Sequence, residues 1–391
     1  MNVEDIEALL GPAGQELLEE VRDLGPEDEL AAATRLRKRY EPGLVAAAMA
    51  QGRLRQRAAA KFGPDAARMY FTPNGVEQAT RRAVAEHRAA RFAALGARRV
   101  LDLCGGIGGD ALALARAGIA VVAVDRDPLT VAVARANAIS LGLADLIEVR
   151  RADVMQTQTA GYDAVFADPA RRTGRGRTFD PEAYEPPLSW ALAAARTAPY
   201  AAVKVAPGIP HEAVPQDAEA EWVSDHGDVK EAALWFGTAP GAKGATLLPS
   251  GARLTAAVPP PAPPIRPVGR FLYEPDGAVV RAHLVAAVAE ELGGGLIDAS
   301  IAYVTADEAR PTAYATPYEI TDVLPFGLKR LKALLRERGV GVLTVKKRGS
   351  AVEPEEVRRR VRPQGPHRAT VFLTRVAGAP SMLIGQPLTG S

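Results

Sequence analysis

The sequence predicts an α/β fold: a mostly parallel sheet of seven strands wound with helices on both faces, between an N-terminal helical region and a C-terminal α+β region. Three observations predict it. The first 96 residues carry apolar positions at helical spacing, among them Ile6, Leu9, Leu10, Leu17, Leu18, Val21 and Leu24. From Arg99 the period changes, and short β-branched runs alternate with alanine- and leucine-rich stretches until about Leu248. The segment VPPPAPPIRP, residues 258 to 267, then holds six prolines, which exclude a helix or an interior strand and mark a semi-rigid linker.

The elements follow in order. Gly25-Pro26, Pro42-Gly43 and Gly63-Pro64 punctuate the first region into a bundle of short helices. Candidate strands are RVLDL (99 to 103), AVVAVD (120 to 125), LIEVR (146 to 150), DAVFAD (163 to 168), AAVKVA (201 to 206), EAEWVSD (219 to 225) and EAALWFG (231 to 237). Helical stretches between most of them imply a parallel sheet covered on both faces. The last two lie too close for a crossover helix and should form an antiparallel hairpin. Beyond the linker come a helical run from 279 to 292 and a strand near 301 to 305. From Pro325 the pattern reads helix, strand GVLTVKK, helix EPEEVRRR, and strands ATVFLTRV and SMLIGQ. The domains expected are residues 1–90, 91–256, the linker 257–267 and 268–391, with a distinct final module from about 325.

Composition narrows the function. At 391 residues, 47% apolar and 24% charged, the chain has the make-up of a multidomain globular protein. No apolar run approaches the ~20 residues that span a bilayer, so no membrane association is expected. The acidic start MNVEDIEALLGP lacks the basic segment of a secretory signal, and a cytoplasmic location is expected. One cysteine, Cys104, and five histidines exclude an internal disulfide framework and a thiolate cluster, and no metal is expected. The sequence leaves the oligomeric state open.

The first strand runs into LCGGIGGDALALA, where Gly105, Gly106, Gly108 and Gly109 form a tight turn that opens a helix and lets a ligand approach the backbone. Such a turn could serve NAD, FAD or S-adenosylmethionine, or bind nothing. Four acids in register decide among these. Asp102 lies inside the strand end, where it suits an ammonium group and would repel a pyrophosphate. Asp125 ends the second strand about 20 residues on, where a carboxylate can accept both ribose hydroxyls. Asp153 follows the third strand, at the spacing for an adenine amino group. Asp168-Pro169 ends the fourth, at the sheet edge where ligands of open α/β sheets bind. Each aspartate alone could equally cap the next helix. Jointly they favour an adenosyl ligand with a methionine end, and Cys104 reads as a packing residue of the loop rather than a nucleophile.

The segments DLCGGIGGD, VDRDP, RADV and FADPARR resemble the motifs of bacterial class I S-adenosylmethionine-dependent methyltransferases that carry a THUMP-like C-terminal domain, a Rossmann-like fold. The GIGGD turn is also similar to that of trimethylguanosine synthases. The resemblance extends to YFTPNGVEQAT before the sheet and FLYEPDGAVVRA after the linker. It implies a cofactor site of Asp102, Cys104, Gly105, Gly106, Gly108, Asp125, Arg126, Asp153 and Val154, with Asp102, Gly106 and Gly108 at the methionine end. One departure limits it. Amino-methylating enzymes carry Asp/Asn-Pro-Pro and an aromatic, whereas Ala170-Arg171 follows Asp168-Pro169 here, so the aromatic that would stack a flipped base is missing.

Methyl transfer from a sulfonium asks for alignment and a proton acceptor more than for acid-base machinery. Asp168 and the Pro169 carbonyl are the expected catalytic groups, orienting a nucleophilic nitrogen or oxygen. Arg171, Arg172, Arg175 and Arg177 follow at once and suit a phosphate backbone, or form a solvated basic loop. From Pro325 on, fourteen Lys and Arg face four Glu, a balance of +10 in a chain whose total is +2, so the preceding residues carry −8. Such asymmetry is an electrostatic footprint for nucleic acid. The resemblance points to RNA, tRNA or rRNA, since THUMP-like domains resemble modules that grip structured RNA. The expectation is therefore an RNA base methyltransferase. The alternatives are a methyltransferase for a small molecule or protein, or a non-catalytic S-adenosylmethionine-binding RNA-binding protein. Tyr70, Phe71 and Tyr184 are candidate stacking residues or, equally, core.

Overall fold

A computed structural model describes the chain except Pro26, Arg171, Gly174, Arg175, Thr178, Phe179, Pro259, Thr389, Gly390 and Ser391; within the hairpin 172–177 only backbone is described. Two compact units result, Met1–Ala220 with Glu231–Gly241, and Glu221–Lys230 with Ala242–Ser391.

In the first unit, α1 (Val3–Leu10), α2 (Pro12–Glu20), α3 (Glu29–Leu36), α4 (Pro42–Phe62), α5 (Pro73–Gln78) and α6 (Arg82–Ala94) come first. Their starts are chemically marked. Asn2 and Asp5 form a reciprocal capping box on α1, and proline opens α2, α4 and α5, where a missing N–H costs nothing. Then come β1 (Arg99–Leu103), α7 (Gly109–Arg116), β2 (Ala120–Asp125), α8 (Pro128–Ser140), β3 (Ile147–Arg151) and β4 (Ala164–Ala167). The two-residue strands β5 (Arg172–Thr173) and β6 (Gly176–Arg177) pair as a small antiparallel hairpin. After them come α9 (Leu188–Ala195), β7 (Tyr200–Val205), β8 (Glu219–Asp225), which passes into the second unit at Glu221, and β9 (Asp228–Phe236), which returns to the first at Glu231.

All seven strands expected in this stretch are present. Two more, β10 (Lys243–Leu248) and β11 (Ala252–Ala256), belong to the second unit and pair antiparallel; the strand order is β9-β7-β4-β1-β2-β3 in the first unit and β11-β10-β8 in the second. β1, β2, β3, β4 and β7 are parallel and β9 runs antiparallel to β7. The chain leaves β1 for β2 on one side and reaches β4 on the other, which opens a crevice at the carboxyl ends of β1 and β4.

One apolar core joins helices and sheet, from Ile6 and Leu9 of α1 through Phe62 and Phe71 to Val100, Val121 and Trp235. Arg88 of α6 is buried within it, paired with Asp110 of α7 and Glu231 of β9, its guanidinium 4.3 Å from the centre of the Phe166 ring. A buried charge is tolerated only when so compensated, and the arrangement fastens α6 to the sheet. Two buried amides do the same for the chain before α5. Gln51 of α4 bonds the backbone N–H and carbonyl of Phe71, and Asn137 of α8 bonds those of Tyr70 and also the carbonyl of Ile107 in the glycine turn.

In the second unit, β12 (Phe271–Pro275), α10 (Gly277–Arg281), α11 (Val285–Glu291), β13 (Gly295–Asp298), β14 (Ile301–Ala306), β15 (Ala315–Pro325), α12 (Leu328–Glu337), β16 (Val340–Lys347), α13 (Pro354–Val361), β17 (His367–Val376) and β18 (Ala379–Pro387) form a sheet in the order β13-β14-β12-β15-β18-β17-β16. Leu331 and Leu335 of α12 and Val357 and Val361 of α13 share one apolar cluster with β16 to β18. Two expectations differ here. The run from 279 to 292 is two helices, because His283 takes a left-handed conformation, φ 60°, between them. β12, β13 and β15 also add strands that periodicity did not indicate; β15 packs Tyr318, Ile320 and Leu324 on the apolar clusters, but Asp322 interrupts their alternation.

Candidate functional site

The crevice holds a cavity of about 790 Å³, lined by the glycine turn, the ends of β2, β4 and β7, the turn after β3, and the segment Thr72–Thr80 that includes α5. Asp102, Cys104, Gly105, Gly106, Asp125, Arg126, Asp153, Val154, Asp168 and Pro169 all line it; Gly108 lies behind the turn against Ala134. The turn itself is conformationally demanding. Cys104 has φ 63° and Gly106 φ 56°, both left-handed. A Cβ on Gly105 would stand 3.2 Å from both Asp102 Oδ2 and the Ala123 side chain. Burial, with the charges of Asp125 and Asp168, pushes the Cys104 thiol up, away from the thiolate form that a nucleophile needs.

The four aspartates sit in four different environments. Asp102 is fully buried, and neither carboxylate oxygen has a hydrogen-bond partner. Burial, reinforced by the Asp168 charge, pushes its carboxyl up to about 8 from an ordinary 3.8. Asp125 accepts from the Gly106 and Asp127 backbone N–H groups at 3.1 and 3.0 Å, one on each oxygen. Burial raises it, and those bonds pull it partly back. Asp153 is exposed and accepts from the Met155 N–H at 2.9 Å, capping a single 3-10 turn, Val154–Gln156. The cap of α8 is Asp127 rather than Asp125, which leaves Asp125 free of that structural duty. Asp168 Oδ2 lies 2.6 Å from the ammonium of Lys204, which also donates to Thr80 Oγ1 at 3.0 Å.

Lys204, Thr80 and the Thr72–Gln78 wall were not anticipated. A lysine inside the apolar strand YAAVKV was the available signal, since an unpaired charge there would be costly. Thr72 caps α5 by accepting from the Gly75 N–H, which aims the wall. At the rim, Arg126 pairs with Glu185 at 2.6 Å, and Ala170 and Glu185 exchange backbone hydrogen bonds that close the base of the arginine-rich segment. Arg171 and Arg175 lie outside the described residues, and of Arg172 and Arg177 only the hairpin backbone is described. Tyr70, Phe71 and Tyr184 are buried, so they are core rather than exposed stacking platforms. Among the described residues no group of His, Cys, Asp and Glu could hold a metal ion, and no helix is long and apolar enough to cross a membrane.

Comparison with known proteins agrees with this geometry. A family model described as THUMP domain-like matches residues 315–387, one described as RNA cap guanine-N2 methyltransferase matches 97–175, and a domain of unknown function matches 2–58. Two Mycobacterium tuberculosis proteins, from strains CDC 1551 / Oshkosh and ATCC 25618 / H37Rv, are each named an uncharacterized S-adenosylmethionine-dependent methyltransferase. Each is 36% identical over 342 residues, covering 84% of this chain and 92% of its own. A crystal structure from Porphyromonas gingivalis W83, whose name proposes a methyltransferase, matches with a TM-score of 0.77 over 99% of both chains at 22% identity, a likeness of fold. With this kinship and a glycine turn ringed by strand-end aspartates, the chain belongs to the S-adenosylmethionine-dependent methyltransferases, as a member with a THUMP-like domain at its C-terminal end.

Proposed function

We propose that this methyltransferase modifies a base in structured RNA, tRNA or rRNA, using the cavity at the ends of β1, β2 and β4. The residues present fit S-adenosylmethionine: the buried, unpartnered carboxylate of Asp102 calls for a cation such as the ligand's ammonium. The cavity volume also falls in the range of small-molecule sites. In this reading the turn of Cys104, Gly105, Gly106 and Gly108 holds the methionine end, Asp125 and Arg126 the ribose, and Asp153 and Val154 the adenine. When bound, the cofactor supplies an electrophilic methyl group on positively charged sulfur. Asp168 and the Pro169 carbonyl orient the acceptor atom, and Asp168 receives its proton. We expect Asp125→Ala to raise the Kd for S-adenosylhomocysteine about 30-fold, the worth of a charged hydrogen-bond acceptor, as read by calorimetry.

The observation that carries RNA is charge. The +10 balance beyond Pro325 includes Lys329, Arg330, Lys332 and Arg336, exposed on α12 and without an acidic partner among the described residues. The family models named for THUMP-like domains and for a cap-guanine methyltransferase support the same class. Arg171, Arg172, Arg175 and Arg177 are proposed to meet RNA phosphates. Replacing Lys329, Arg330 and Lys332 together with alanine should weaken tRNA binding about tenfold at low salt and flatten the plot of log K against log salt by about two. Nucleoside mass spectrometry of RNA from a strain lacking the protein should show one methylated nucleoside missing. Unchanged RNA, with labelled methyl groups reaching only protein or small molecules, would overturn the RNA reading.

A further inference from the structure

Lys204 stands at the carboxyl end of β7, its side chain 8% exposed, its ammonium between Asp168 and Thr80. The register pairs Val203 with Ala167, which brings the next residues, Lys204 and Asp168, side by side. Methionine or leucine would serve packing in this strand as well without desolvating a charge, so the reason for a lysine lies in the cavity it lines. Among the described residues, two cations line that cavity. Arg126 is exposed and paired with Glu185 at the rim, whereas Lys204 is buried with Asp168, and the charges of Asp168, Asp125 and Lys204 all reach Asp102.

We propose that Lys204 sets the site's preference between methyl donor and demethylated product, by cancelling the Asp168 charge so that the reacting end of the cavity is electrically neutral toward sulfur. The proposal rests on reading the cavity as the S-adenosylmethionine site. A bare carboxylate there would attract the sulfonium, and that attraction fades as the methyl group leaves and sulfur becomes neutral. It would deepen the reactant well more than it lowers the transition state, and so slow transfer. The ion pair removes this penalty while leaving Asp168 Oδ1 for the acceptor. The corollary is that donor and product compete for the site on near-equal terms.

Calorimetry of the full chain with S-adenosylmethionine and with S-adenosylhomocysteine, at one pH and ionic strength, tests this through the ratio of the two affinities. The ratio is the right quantity, because any effect of Lys204 on Asp102 acts on the ammonium that both ligands share. The wild type should bind the two within about threefold. Lys204→Met should shift the ratio about tenfold toward the donor. Asp168→Asn, which leaves Lys204 unpaired, should shift it about tenfold toward the product, and the double variant should return to the wild-type ratio. If Lys204→Met does not fold, as read by thermal melting, the opposite-signed shift in Asp168→Asn and its cancellation in the double variant carry the test. An unchanged ratio in the single variants, shifts of the same sign, or a shift that persists in the double variant would overturn the role of Lys204. Uptake of neither ligand by the wild type would instead bring down the reading of the cavity, and this inference with it.

Discussion

Asp168→Asn is expected to lower turnover about 10³-fold at saturating donor while leaving the Kd for S-adenosylhomocysteine within about threefold. Two losses combine in it. The amide cannot take up the proton released as the acceptor bonds to carbon, a contribution of roughly 10²–10⁴ where a positioned side chain supplies it. Losing the Lys204 ion pair also frees the side chain to rotate away from the geometry that the 2.6 Å contact imposes, and misplacement alone can cost about 10²-fold. The product lacks the charged sulfur and, above pH 8 where Asp102 is ionised with or without the Asp168 charge, meets Asp102 and Asp125 as before, so its affinity there is held. The measurement is transfer of labelled methyl groups to RNA from cells lacking the protein, beside calorimetry with the product. Parallel loss of rate and product affinity would place Asp168 among the binding groups instead.

Asp102→Asn carries the second large effect, an increase of about 10²-fold in the Kd for S-adenosylhomocysteine, the cost of deleting one member of a buried charge pair. The same residue predicts a pH dependence. In the unliganded fold its carboxyl titrates near 8, against an ordinary 3.8. The folded chain therefore holds a proton that the unfolded chain has given up between those values. The resulting contribution to stability is complete below about pH 4 and is lost as pH rises through about 8. Melting temperature should fall over that window in the wild type, and this slope should vanish in Asp102→Asn. An ammonium ligand needs the ionised carboxyl, so binding below pH 8 must expel the proton. Affinity should then climb up to tenfold per pH unit toward 8 and level off, until the ligand's own ammonium titrates. Affinity independent of pH between 6 and 8 would refute the pairing.

The first sheet was legible because parallel strands buried on both faces read as apolar runs bounded by glycine, proline and aspartate. β10 and β11 escaped although neither is shorter than β4: a lysine and a glycine open β10, and no residue of β11 is buried, so neither presents a plain apolar run. In the second unit, the core-facing stripe of β15, Tyr318, Ile320 and Leu324, is broken by Asp322 and flanked by Pro317 and Pro325, so its period is hard to read. Within the site, the aspartates could be found from spacing alone, since strand ends of one sheet meet at one edge. Lys204 and Thr80 could not, because 124 residues separate two groups whose meaning lies in their contact. Nor could spacing tell that Asp153 caps a turn while Asp102 has no partner. That difference comes from burial, which only the folded chain reveals.

The wall from Thr72 to Thr80 bears on how such a protein can change over time. Its shape depends on Gln51 and Asn137, one amide in the helical region and the other in the sheet region. A foreign helical region grafted onto this sheet would bring no matching clasp, and the pocket would stand open along one flank. Helices and sheet are thus inherited as a single unit of function, and drift in either must be answered by the other.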